Sequence, residues 1–165
     1  RVFKFKKFDI RITPRKRDFL VVVLWTSLMV LVMVNAHRTL YLKPRFRRSA
    51  IPWSPYEPPS LSAPEMLILL AASLLVTLTL SDVKSLIYGS IASLAVSFII
   101  AVAYASLYIW FILDWQTVFS MGPYDWEIVV HFALMNMFWV MFPWVVGLSV
   151  VGIVFGFFVR GWLYM

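Results

Sequence analysis

The sequence predicts an all-α integral membrane protein: a bundle of about four transmembrane helices with a basic N-terminal arm and a proline-rich surface loop. Three observations predict it. The 165-residue chain is 62% hydrophobic and only 14% charged, against about 45–50% and about 25% in soluble domains. Its apolar residues gather into runs that can cross a hydrocarbon core of about 30 Å. Its charge is segregated: of 15 Lys and Arg, eight fall in residues 1–18, five in 38–48, and only Lys84 and Arg160 lie elsewhere.

Residues 1–18 form the basic arm. Lys4, Lys6, Lys7, Arg15, Lys16 and Arg17 are placed to meet lipid phosphates, with Phe3, Phe5 and Phe8 among the headgroups. Pro14 is expected to break any helix there. Residues 19–36 make the first span, about 27 Å of helix, with Asp18 as its cap.

Residues 37–64 carry prolines at 44, 52, 55, 58, 59 and 64, so they are expected to lie on the surface as extended chain. Arg45, Arg47 and Arg48 add headgroup contacts, and Trp53 and Tyr56 can anchor the loop at the interface.

Residues 65–165 hold the remaining spans, at about 66–80, 85–113 and 128–159. Ser62 and Glu65 have capping-box spacing, with Pro64 in the first turn. Gly122-Pro123 breaks the chain before the last span, and Pro143 is expected to kink it. Four spans put both ends on one side. Ten Lys and Arg fall on that side against five on the other, which favours cytoplasmic termini in a cell membrane.

Ser85, Gly89, Ser93, Ser97, Ala101 and Ala105 recur at every fourth position. Small residues let helix backbones approach closely, and dispersion then holds the helices together inside lipid. A row with this spacing drifts about 40° per step on a helix of 3.6 residues per turn, so it predicts two partners rather than one. Gly152 and Gly156 offer a second close-approach face. Trp25, Trp110, Trp115, Trp126 and Trp162 read as an aromatic belt at the interfaces.

Polar chemistry concentrates in the stretch PYDWEIVVHFALMN. Glu127 and His131 share a helix face, and Asp125 stands at the helix start. His37 closes the first span on the same membrane side, with Asp114 nearby in the topology. Two imidazoles and carboxylates suit zinc, copper or non-haem iron, so His37, Asp125, Glu127 and His131 are the candidate metal residues. Acids in a first turn also cap the helix with no ligand. Asn35 and Asn136 suit helix-bridging contacts.

The chain has no cysteine, which excludes disulfides and thiolate metal sites. No phosphate loop, catalytic triad or internal repeat is evident. The two basic segments flank apolar spans, so lipid rather than nucleic acid is the expected anionic partner. The function this favours is an accessory, structural subunit of a multi-subunit membrane complex, packing through small-residue faces against other integral membrane subunits. Two alternatives compete with it. One is a metal-binding or redox subunit. The other is a small oligomeric transporter or channel, with a water-accessible line of Ser73, Thr77, Thr79, Ser93 and Ser97.

Overall fold

The computed structural model describes residues 14–42, 60–80, 82–111 and 126–163. Most of the basic arm, with Lys4, Lys6 and Lys7, lies outside them. So do Arg45, Arg47 and Arg48 of the proline-rich loop, and Asp114 and Asp125. Among the described residues every element is helical: α1 (Pro14–Leu42), α2 (Ala63–Thr79), α3 (Val83–Phe111), α4 (Trp126–Val140) and α5 (Val146–Leu163).

Helix α1 starts five residues before the predicted span, at the proline expected to forbid it. The first helical position has no use for its N–H, and proline's fixed φ suits the turn. Asp18 is therefore not a cap. It lies inside α1, buried, with its carboxylate 3.6 Å from the Arg17 guanidinium.

Helix α2 begins as its residues dictate. The Ser62 N–H and hydroxyl both donate to Glu65 Oε2, at 2.7 and 2.6 Å. Pro64 sits in the first turn. Leu80 leaves helical geometry, and its N–H bonds back to the Val76 carbonyl.

The last helical stretch breaks where Pro143 stands. Phe142 adopts extended geometry (φ −112, ψ 119), and Met141–Val145 form one wide turn between α4 and α5. Proline has no N–H to give the ladder, and its ring displaces the preceding turn.

Contacts fix the directions of the helices. Val22, Thr26 and Met29 meet Gly89, Ser93 and Ser97, so α1 and α3 run parallel. Ser73 and Thr77 meet Gly152 and Gly156, so α2 and α5 also run parallel. Asn35 near the end of α1 bonds Glu65 at the start of α2, and Trp110 near the end of α3 meets Trp126 at the start of α4. Those two pairs are antiparallel. One end of the bundle thus gathers the starts of α1 and α3 with the ends of α2 and α5. With 17 residues, about 26 Å, α2 returns the chain over this height.

The core is built from α1 to α4 and the wide turn, and includes Trp25, Met29, Met33, Leu69, Ile109, Met137 and Val145, with Val146, Leu148 and Ile153 of α5 packed against it. Among the described residues three segments, Lys16–Thr39, Val83–Phe111 and Val129–Leu163, are long and apolar enough to cross a membrane. Many of their large apolar side chains point outward, among them Leu31, Ile99, Phe158 and Trp162. In water such a surface would drive aggregation; in lipid it is already solvated.

Candidate functional site

Two seams of small residues hold the bundle together. The first joins α1 to α3. Gly89, Ser93, Ser97, Ala101 and Ala105 are all buried, whereas Ser85 at the end of the row is half-buried. Gly89 lies against Val22, whose Cγ2 would be 2.9 Å from an added Cβ. Thr26 Oγ1 is 2.9 Å from Ser93 Oγ and 2.8 Å from the Val22 carbonyl, so this polar contact links the neighbouring helix and its own. Ser97 Oγ is 3.0 Å from the Leu94 carbonyl and 4.0 Å from Met29 Sδ. Where the row reaches Ala101 and Ala105, it enters the core that α1 and α3 share with Ala133 and Met137 of α4.

The second seam joins α2 to α5 and is tighter. A Cβ on Gly152 would lie 2.7 Å from both the Leu70 carbonyl oxygen and Ser73 Cβ; one on Gly156 would lie 2.6 Å from Thr77 Cβ. Ser73 and Thr77 have the same i, i+4 spacing as the two glycines, so each helix offers a matching row of small or branched residues. In the sequence Ser73 and Thr77 suit a line of hydroxyls facing water; their shared spacing is the signal that pairs them with Gly152 and Gly156. Their hydroxyls donate to the Leu69 and Ser73 carbonyls of their own helix. The Arg160 guanidinium donates to the Leu80 carbonyl at 3.2 Å, closing the C-terminal end of α2 with a cation.

A polar clamp stands at the opposite end. Asn35 Nδ2 donates to Glu65 Oε1 at 2.6 Å, so one carboxylate both caps α2 and ties it to α1. Asn35→Leu is expected to cost about 1 kcal/mol and Glu65→Ala about 2, since the second also removes the cap. Thermal unfolding in detergent checks this, and the double variant should lose less than the sum. Asn136, the other asparagine expected to bridge helices, does not: its Nδ2 is buried with no hydrogen-bond partner.

The candidate metal residues are spread over two environments. His37 is fully buried in α1, its ring edge-on to Tyr108 at 5.8 Å. Glu127 and His131 are exposed on α4, one turn apart. Among the described residues no three His, Asp or Glu gather as a metal would require. Of the aromatic belt, Trp162 is 88% exposed, but Trp25 is 2% exposed and belongs to the core. Trp110 and Trp126 meet edge-on at 5.4 Å and join α3 to α4.

Comparison with known proteins finds no matching family model, curated protein or solved structure. Among the described residues the chain is helical, and its three long apolar segments are consistent with a membrane location.

Proposed function

We propose that this chain is an accessory, structural subunit of a multi-subunit complex in the cell membrane. One observation carries the proposal: among the described residues the buried hydroxyls other than Ser149 are taken up by helix hydrogen bonds. Ser73, Thr77 and Ser106 each donate to a carbonyl one turn back in their own helix, and Ser93 bonds Thr26 across the first seam. A conduction path or a substrate site needs polar groups turned towards a cavity. Here Ser73, Thr77, Ser93 and Ser106 are turned into helix contacts.

The small-residue row is largely consumed within the chain, so partner subunits would meet the outward faces. On α3 that surface carries Ala92, Ala95 and Ala103 around Ile99, which allows close approach of another helix. In this reading α2 is a fourth span, shorter than the others, and the bilayer thins to meet it. Lys16, Arg17, Lys84 and Arg160 stand at the end of the bundle that holds the starts of α1 and α3. Arg38 stands at the other, so the first end faces the cytoplasm.

Crosslinking, cysteine labelling and metal analysis test the proposal. In native membranes, crosslinking from cysteines placed at Ala92, Ala95 or Ala103 is expected to join this chain to another integral membrane protein. A chain that stays monomeric at all three positions, and runs alone in mild detergent, defeats it. Cysteines at Ser73, Thr77, Ser93 and Ser97 are expected to resist a water-soluble maleimide in the folded protein. Rapid labelling of all four would favour the transporter. One equivalent of zinc, copper or iron per chain, lost in His131→Ala, would favour the redox subunit.

A further inference from the structure

We infer that α1 carries a site for one anionic phospholipid at the end of the bundle that bears Lys16. Lys16, Phe19, Leu20 and Val23 occupy positions i, i+3, i+4 and i+7 of α1 and so share one face. They line a laterally open groove of ≈ 480 Å³. The three apolar side chains are 71%, 53% and 44% exposed, while Trp25 and Met29 of the same helix are in the core. This face is turned to lipid, not to the bundle.

The occupant is argued from charge. At this end of α1, Arg17 is paired with Asp18 at 3.6 Å. Lys16 has no acidic partner among the described residues, so its ammonium is left for an external anion. Below it the groove is apolar for about 10 Å, the length of seven helical residues and of roughly half an acyl chain. A cation above an apolar wall matches a lipid with an anionic phosphate and a hydrocarbon tail. A zwitterionic headgroup offers the same tail but no net charge to meet Lys16. Lys16, Arg17, Lys84 and Arg160 concentrate anionic lipid at this end, and the groove gives one molecule a seat on α1. The inference does not depend on whether the chain has protein partners.

The test is native mass spectrometry of the full chain in mild detergent, titrated with phosphatidylglycerol or phosphatidylcholine of matched acyl chains. The wild type is expected to retain one phosphatidylglycerol about fivefold better than phosphatidylcholine, the effect of one cation near a lipid surface. Lys16→Gln should bring the two to near parity. Leu20→Trp, which fills the groove, should release the retained lipid with Lys16 still present. Lys84→Gln, at the same end on another helix, should leave the preference intact. All three side chains are exposed, so unchanged thermal unfolding confirms that the variants fold. No preference in the wild type overturns the inference, as does a preference that survives Lys16→Gln. A preference that survives Leu20→Trp, or falls equally with Lys84→Gln, identifies diffuse attraction to basic residues and also overturns it.

Discussion

Gly152→Val is expected to destabilise the protein by about 3 kcal/mol, at the upper end of the overpacking range. For a chain of this size that lowers the melting temperature by roughly 6–12 °C. The reason is the kind of atom in the way. A Cβ at 152 would meet the Leu70 carbonyl oxygen at 2.7 Å and the Leu74 nitrogen at 3.3 Å, both backbone, as well as Ser73 Cβ at 2.7 Å. No rotamer change clears a backbone atom, so the two helices must part along their length. Separation forfeits dispersion contacts over the whole seam, and in lipid no hydrophobic term compensates. Gly147 is the control. Nothing lies within 4 Å of a Cβ there, so Gly147→Ala should be neutral or stabilise by up to about 1 kcal/mol through helix propensity. Equal losses at both positions, read by tryptophan fluorescence on heating, would refute the seam as the cause.

Trp25→Ala should cost at least as much, about 3–5 kcal/mol. The indole is 2% exposed and packs in the core with Met29 and Met33. Removing it leaves a hole that the flexible methionines fill only partly. Trp25→Phe is expected to behave differently. Trp25 Nε1 is buried with no hydrogen-bond partner, and such a donor costs roughly 1–3 kcal/mol to keep. Phenylalanine keeps most of the ring and discards that donor, so its loss in packing and its gain in polarity offset each other. Denaturation in SDS titrations should therefore rank Ala far below both Phe and the wild type. Equal losses for Phe and Ala would mean that a phenyl ring recovers none of the packing and that the full indole is needed to fill the site.

What the sequence reveals follows from the range of each effect. Apolar runs and segregated charge are local, and they announce helices fit for a membrane. Pro143 announces the break at Phe142 for the same reason, because a missing N–H acts within one turn. Pro14 misleads because its effect depends on position: the same ring that ends a helix begins α1. Trp25 misleads because belt and core tryptophans have the same composition and differ only in which side of the helix faces the bundle. The pairing of α2 with α5 is hidden more deeply. Gly152 and Gly156 advertise a close approach but not to whom, and Ser73 and Thr77 read equally well as polar residues lining water. The distance between His37 in the core and His131 on the surface is likewise set by helix rotation, on which spacing along the chain is silent.

The two parallel pairings dictate an order of biogenesis. Helices that are neighbours in the chain can dock as a hairpin once both have left the ribosome. Parallel partners must wait for an intervening segment to return. Once α3 has left the ribosome, the Gly89 and Ser93 contacts with α1 can form, but the groove over Ser73 and Thr77 has no occupant until Gly152 and Gly156 have also emerged. For that interval α2 has the Asn35–Glu65 clamp to α1 but lacks its close-packed partner, and a chain truncated before α5 leaves it in that unfinished state.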